Sequence, residues 1–266
     1  MQRSVSSHLR AEIEGAADVV LSVAVAGDAP VERESLEVTL DGLDVAVREV
    51  DDAHHGRLHC ADGLGPGRLE VAYRATVTGS SPPPPVAERD LILYTRPSRY
   101  CESDRLSAFA RAEFRGIEGL PLLDAVSSWV GMKVAYLPGS SRPIDGAVAT
   151  LLARQGVCRD FAHLTIALLR GCDTPARLVS VYAPGLQPMD FHAVAEAYVD
   201  GRWLVADATA LAPRSAMVRI ATGRDAADTA FLTTTGAGVA FESLEVMAVA
   251  DPDLPADDMT TPAQLA

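Results

Sequence analysis

A two-residue turn between two alternating runs is the strongest fold signal in this chain. Residues Phe191 to Tyr198 and Arg202 to Ala208 alternate along the chain on either side of Asp200-Gly201. Asp-Gly is a favoured turn between antiparallel strands, so these runs predict a β-hairpin. With that turn, Asp207 becomes the diagonal neighbour of His192 on one face of the hairpin. The sequence therefore predicts a carboxylate within reach of an imidazole.

A helix is predicted to begin at Cys158. Gly156 interrupts the preceding segment, apolar residues recur at helical spacing as far as Arg170, and Gly171 is a stop signal. A cysteine in the first turn lies beside free backbone N–H groups and the positive end of the helix dipole. Both stabilise a thiolate, the reactive form of the side chain. The alternative interpretation is a buried structural cysteine, the usual role of a free one.

Together, Cys158, His192 and Asp207 supply the thiol, the base and the orienting carboxylate of a nucleophilic site. A second histidine, His163, competes for the role of base. It follows Cys158 by five residues, which places it about 140° away around the helix, so His192 is the preferred base.

Two side chains close to the thiol in sequence are candidates for supporting it. Gln155 could donate a hydrogen bond to an oxyanion, with the Cys158 backbone N–H as the firmer donor. Asp160 lies in the first helical turn, where a carboxylate suits the dipole and acts as a cap; support of the site is the other interpretation.

Three segments resemble the transglutaminase-like superfamily of papain-type cysteine enzymes. They read Gly156-Val157-Cys158-Arg159-Asp160, His192-Ala193-Val194-Ala195-Glu196 and Asp207-Ala208-Thr209. The resemblance is clearest over residues 147–210. With the flanking segments 96–101 and 219–225, which resemble bacterial transglutaminase-like cysteine proteases, it covers most of the chain. One departure is Val194, where the family usually carries tryptophan.

The resemblance implies a Cys-His-Asp triad that forms a thioester with a peptide, protein or other amide substrate. Water would complete an amidase or protease cycle, and this is the favoured hypothesis. An amine acceptor would make the protein a transglutaminase instead, and a catalytically idle binding module on the same fold is the third hypothesis. Arg219 and Arg224 are candidates for binding a substrate carboxylate, with ordinary surface ion pairs as the alternative. No cofactor is expected.

The chain is predicted to be an α+β protein with two domains and a tail. Short alternating runs punctuated by turns indicate an antiparallel β-sandwich over residues 1–95. Helices packed on an antiparallel sheet, a papain-like or transglutaminase-core domain, are predicted for residues 96–250. The acidic, proline-rich segment 251–266 is predicted to be disordered. Residues 79–85, with four consecutive prolines, indicate a stiff spacer near the domain boundary.

Three further helices are predicted before the thiol. They span Asp104 to Phe114, Pro121 to about Tyr136, and Ile144 to Ala153. Trp129, on the second of them, is predicted to pack in the core, with the cleft wall as the alternative. Phe231 to Val249 is predicted to return as a pair of strands around Gly236-Ala237-Gly238.

Charge and cysteine usage restrict the partners and the compartment. The net charge of −13 argues against nucleic acid and anionic membranes as partners. No secretory signal or membrane span is visible, and the four cysteines have no disulfide or zinc spacing, so a reducing cytoplasm is expected. His54, His55, His59 and Cys60 match no structural zinc pattern, so no metal site is predicted.

Overall fold

The structure is a computed structural model that describes residues 1–82 and 85–265. Its helices are α1 (Glu88–Leu93), α2 (Ser103–Glu113), α3 (Gly119–Lys133), α4 (Ala147–Ala153) and α5 (Cys158–Gly171). Its strands are β1 (Gln2–Ile13), β2 (Ala17–Leu21), β3 (Val31–Leu40), β4 (Leu43–Asp44), β5 (Arg48–Asp51), β6 (Arg57–Leu64), β7 (Gly67–Thr78), β8 (Ala135–Tyr136), β9 (Gln155–Gly156), β10 (Ala176–Tyr182), β11 (Phe191–Val199), β12 (Arg202–Ala206), β13 (Val218–Gly223), β14 (Leu232–Gly236) and β15 (Val239–Asp251).

The N-terminal part is the predicted antiparallel β-sandwich. One sheet has the strand order β15-β1-β7-β3-β4, and the other has the order β14-β2-β6-β5. Strand β1 alternates buried and more exposed residues along its length, which is the pattern of a strand with one face in a core. Leu9 from the first sheet and Val19 and Leu21 from the second are buried in one apolar cluster. The two sheets therefore pack face to face, and the α+β fold class predicted from the sequence is confirmed.

The second part is built around helix α5 and a four-stranded antiparallel sheet of order β12-β11-β10-β13. Nearly every residue of α5 after its first turn is buried, because α2, α3, α4 and the sheet surround it. Leu164 and Leu168 are fully buried in the largest apolar cluster of the described chain. Helix α5 is thus the central element of this part of the molecule.

The Asp200-Gly201 turn forms as the sequence predicts. Both residues have positive φ values, 51° and 82°, which is the conformation that matches the twist of two antiparallel strands. Val199 pairs with Arg202, and the regular register runs back to the pair Ala195 and Ala206.

The three helices before the thiol also lie close to their predicted positions, with α3 beginning two residues early and ending three residues short of its prediction. Trp129 is buried between Phe109 and Phe114, and its indole N–H donates to Glu113 at 2.9 Å. The prediction that Trp129 belongs to the core is confirmed.

The two parts share strands and a core. Strands β14 and β15 follow the four-stranded sheet β12-β11-β10-β13 in sequence, yet β14 pairs with β2 and β15 pairs with β1. They therefore belong to the sandwich, although the predicted domain 96–250 includes most of their residues. A shared apolar cluster holds Val25 and Tyr73 from the sandwich against Tyr182 on β10 and Ile220 on β13.

The C-terminal tail, which the sequence predicts to be disordered, has both charged and apolar partners in the structure. Asp257 forms a two-point ion pair with Arg214, with distances of 2.8 and 2.9 Å. The Val205 N–H donates to the carbonyl of Ala263 at 2.9 Å. Leu265 is buried against Val179 and Val194 of the four-stranded sheet. The tail thus covers the face of the sheet opposite α5.

Pro83 and Pro84, within the predicted proline spacer, lie outside the described residues. No helix in the described ranges is both long enough and apolar enough to cross a membrane.

Candidate active site

The first turn of α5 carries the thiol and is fixed by a capping hydrogen bond. The Val157 backbone N–H donates to Asp160 at 2.8 Å, so Asp160 caps the helix from within its first turn. Gly156 makes this possible, since a Cβ atom there would stand 2.6 Å from the Cβ of Asp160. Cys158 itself is partly exposed. The structure therefore gives Asp160 a capping role that fixes the direction of the nucleophile.

His192 and Asp207 meet as the hairpin register predicts. The two side chains are buried, and His192 Nε2 lies 2.8 Å from Asp207 Oδ2. The other carboxylate oxygen accepts from the backbone N–H of Thr209 at 3.0 Å and from its hydroxyl at 2.6 Å. Asp207 is thus held by Thr209 on one side and holds the imidazole on the other.

The electrostatics of this pair keep a proton on the imidazole. Burial by itself lowers the pKa of His192, but the Asp207 carboxylate and the adjacent Cys158 thiol outweigh it and raise that pKa to about 10. Burial raises the pKa of Asp207, and the His192 partner reverses this and lowers it overall. His192 Nδ1 has no hydrogen-bond partner in the part of the chain that is described. One ring nitrogen is therefore held by Asp207, while the other is left for the thiol side.

Cys158 and His192 line the same cavity, which has a volume of about 440 Å³. Its walls come from both parts of the molecule. Ser22 and Leu232 belong to the sandwich region, whereas Leu178 belongs to β10 and Ile220 to β13. Apolar side chains make up most of the lining. The N-terminal sandwich, whose role the sequence did not reveal, therefore contributes part of the wall of the cavity.

Tyr136 lies near Cys158, a placement that the sequence analysis did not predict. Strand β8 pairs in parallel with β9, which places Tyr136 beside Gly156, and its ring lies 5.8 Å from that of Phe161 in α5. Partial burial is the main cause that raises the pKa of Tyr136 to about 12, and the nearby Cys158 thiol adds to it. The Cys158 backbone N–H opposes this shift, because it stabilises the ionised hydroxyl. The two-residue strand β8 is too short to give an alternating pattern, so no local signal predicted this placement.

His163 is not available as the base. It is buried, its Nε2 accepts from the Ala226 backbone N–H at 3.1 Å, and its ring stacks on Tyr100 at 5.3 Å. Burial lowers the pKa of His163 to about 3, so the ring is neutral. The preference for His192, which rested on helical geometry, agrees with these contacts.

Gln155 lies away from the cavity that holds the thiol. Its side chain is exposed and lines a separate surface cavity with Arg142 and Asp145. The structure therefore does not bring Gln155 together with Cys158 and His192, because strand β9 turns its side chain outward before the helix begins.

The two arginines predicted to bind a substrate carboxylate have internal partners instead. Arg219 contacts Glu196 at 2.6 Å, and Arg177 contacts the same carboxylate at 2.7 Å, in a buried cluster. Arg224 pairs with Asp228 at 2.8 Å near the surface. Neither Arg219 nor Arg224 lines the cavity of the thiol. The structure therefore does not bring either guanidinium group to this cavity, because Glu196 and Asp228 are already their partners.

The histidines of the N-terminal turn also have ordinary partners. His54 lies 2.8 Å from the Tyr94 hydroxyl, and His59 lies 3.0 Å from Glu49. Across residues 1–82 and 85–265, no three His, Cys, Asp or Glu side chains are grouped so as to hold a metal ion.

A thiol at a helix N-terminus, an imidazole and a carboxylate in this order define the class of papain-type cysteine sites. A family model described as the transglutaminase-like superfamily matches residues 119–208. A crystal structure from Cytophaga hutchinsonii, named as a candidate cysteine protease, is 32% identical with a TM-score of 0.88, covering 97% of this chain and 94% of that one. The chain therefore belongs to the transglutaminase-like superfamily.

Two more distant likenesses were also found. An uncharacterized protein of Mycobacterium leprae is 27% identical over 154 residues, which span 54% of this chain and 54% of that protein. The chain thus aligns with about half the length of that relative. The periplasmic domain of TgpA from Pseudomonas aeruginosa is 18% identical, with a TM-score of 0.43, over 75% of this chain and 91% of that one.

Proposed function

We propose that this protein is a thiol-dependent hydrolase of peptide or carboxamide bonds. The observation that carries the proposal is the placement of His192. Its Nε2 is bound to Asp207 at 2.8 Å, and it lines one cavity with the Cys158 thiol at the start of α5. The likeness over nearly the full length of both chains to a protein named as a candidate cysteine protease supports the same chemistry.

In the proposed cycle, the proton of the Cys158 thiol already lies on Nδ1 of His192 in a thiolate–imidazolium pair, and the thiolate attacks the carbonyl carbon of the substrate. As the tetrahedral intermediate collapses, the C–N bond breaks and His192 returns the proton to the leaving amine. Water then attacks the thioester, passes a proton to His192 and releases the carboxylic acid with the thiolate–imidazolium pair restored. The raised pKa of His192 favours the protonated ring that the first collapse requires.

The negative oxygen of each intermediate needs donors close to the thiol. The Cys158 backbone N–H, in the first turn of α5, is one of them. We assign the second to the Tyr136 hydroxyl, because strand β8 places that residue beside Gly156 and its ring against α5. This replaces Gln155, whose side chain lies in a separate cavity.

Cys158→Ala tests the assignment, with Cys172→Ala as the matched control. Both cysteines are free and partly exposed, and they lie at opposite ends of α5. We expect Cys158→Ala to abolish release of ammonia or amine from a panel of peptide amides and Gln-containing peptides, whereas Cys172→Ala retains it. Turnover that survives in Cys158→Ala, with the fold intact by circular dichroism, would overturn the proposal.

The same panel with an added primary amine identifies the acyl acceptor. Hydrolysis gives the free acid whether or not the amine is present. Accumulation of the substituted amide in place of the acid would show amine transfer rather than hydrolysis, with the same three side chains in the same roles. Iodoacetamide labelling of Cys158 without turnover of any substrate would favour a binding module on this fold.

A further inference from the structure

Asp190 places a carboxylate on the wall of the catalytic cavity, two residues before the imidazole. Among the described residues that line the cavity, the charged side chains are Arg159, Asp190 and His192. His192 is engaged with Asp207. The charge that the cavity offers to a substrate therefore depends on which hydrogen-bond and ion-pair partners Arg159 and Asp190 already have.

Arg159 is occupied by the protein itself. Its Nη2 donates to the Ser141 hydroxyl at 2.6 Å and to the Arg142 carbonyl at 2.8 Å, and it lies 3.6 Å from the Asp160 carboxylate. These contacts hold the guanidinium against the loop that carries Ser141. Its Nη2 therefore has partners before any substrate arrives, whereas its Nε has no hydrogen-bond partner in the described part of the chain.

Asp190 is only half satisfied. Its Oδ1 accepts from the Phe191 backbone N–H at 2.7 Å, and no other hydrogen bond or ion pair to Asp190 occurs in the described chain. The residue is exposed where it lines the cavity, and partial burial still raises the pKa of its carboxyl. The second carboxylate oxygen is therefore open to an organic cation in the cavity, which it would bind by a charge-assisted hydrogen bond.

We propose that Asp190 is a specificity-determining residue that binds a cationic group of the substrate, a guanidinium or an ammonium, next to the scissile bond. The proposal rests on the proposed function and names the substrate class of the same site. The apolar remainder of the lining, which includes Leu178, Phe191 and Phe231, accepts the uncharged part of the substrate. The net charge of −13 also favours the approach of a cationic substrate.

Matched pairs of peptide amides that differ by a single charge provide the test. Arginine against citrulline and lysine against norleucine report on a side chain, and a free against an acetylated amino terminus reports on an α-ammonium group. We expect the intact enzyme to prefer the cationic member of at least one pair by about 10- to 100-fold in kcat/KM, the range of a charge-assisted hydrogen bond. Asp190→Asn should abolish that preference and leave turnover of the neutral member within about threefold.

Asp44→Asn is the matched control, because Asp44 lies on the exposed strand β4 of the sandwich and makes the same change in charge. It should keep the preference of the intact enzyme. A preference that persists in Asp190→Asn would overturn the proposal. An equal loss of kcat for both members of each pair would also overturn it, since that pattern means that Asp190 acts only by positioning His192.

Binding to the inactive Cys158→Ala variant separates this inference from the proposed function. Dissociation constants for the same peptide pairs, measured by calorimetry, need no turnover. A cationic preference that disappears in Cys158→Ala/Asp190→Asn supports the inference even if the parent protein hydrolyses none of the peptides. Hydrolysis by the parent protein with no charge preference supports the proposed function and refutes the inference, as does the absence of any binding difference within the pairs.

Discussion

The imidazole of His192 contacts the carboxylate of Asp207 at 2.8 Å, although the regular pairing of their strands has already ended at Ala195 and Ala206. The contact is therefore made by two strand ends that continue beyond the ladder. It depends on the hairpin register and on Thr209, which binds the second carboxylate oxygen. This arrangement leaves Asp207 able to set the charge of the imidazole without being part of the sheet's backbone hydrogen bonding.

Asp207→Asn should lower turnover by at least about a hundredfold, because the amide neither stabilises the imidazolium nor fixes the ring as a carboxylate does. It should also shift the pKa of His192 downward, since Asp207 is the main group that raises it. The pH dependence of kcat/KM measures both effects. Asp200→Asn is the control, because it makes the same change in the hairpin turn, where asparagine accepts a positive φ. Equal activity of the two variants would contradict the role of Asp207.

The acylation rate of the intact enzyme should fall on the alkaline limb of its pH profile, as the pH rises through about 10. There His192 loses the proton that the leaving amine needs. In Asp207→Asn this limb should move to lower pH. A pH profile of single-turnover acylation records it free of product release. An alkaline limb at the same pH in both proteins would show that His192 is not the group being titrated.

Tyr136→Phe should lower kcat by about 10- to 100-fold with little change in KM, because a donor to the intermediate acts mainly in the transition state. Steady-state kinetics on one peptide amide are sufficient. Tyr198→Phe is the matched control, since Tyr198 packs against Trp203 at the end of β11 opposite to His192. If both variants keep full kcat, the hydroxyl of Tyr136 has no part in catalysis.

Glu196→Gln should destabilise the fold by about 3–5 kcal/mol, because it leaves the buried Arg177 and Arg219 without a compensating charge. Glu70→Gln, which removes an exposed partner of Arg10 and Arg68, should cost less than about 1 kcal/mol. Urea unfolding of the two variants compares them directly. Similar free energies of unfolding would mean that solvent reaches the Glu196 cluster.

The free energy of unfolding should fall as the pH drops from about 6.5 towards 4. Burial lowers the pKa of His54 to about 4 and that of His163 to about 3, so both are neutral in the folded protein over this range. The unfolded chain binds these protons first, near the ordinary histidine pKa, and acid therefore favours unfolding. Urea midpoints at about pH 6.5 and about pH 4.5 test this, and His54→Asn should narrow their difference. Equal midpoints for the parent protein would contradict the burial of uncharged histidines.

The pairing of His192 with Asp207, the capped start of α5 and the α+β order were all predictable from the sequence. Each depends on residues close together along the chain: a two-residue turn, a glycine before a helix, and alternating or helical spacing. Such local rules act through backbone geometry, and geometry over ten to twenty residues leaves few alternatives.

The tertiary structure alone decided which charged and polar side chains face the cavity. It paired Arg219 with Glu196, bound Asp257 to Arg214, turned Gln155 outward and placed Tyr136 beside Gly156. It also returned β14 and β15 to the N-terminal sandwich. Buried charges and edge strands need partners, and the partner that satisfies them is chosen by packing in space rather than by distance along the chain.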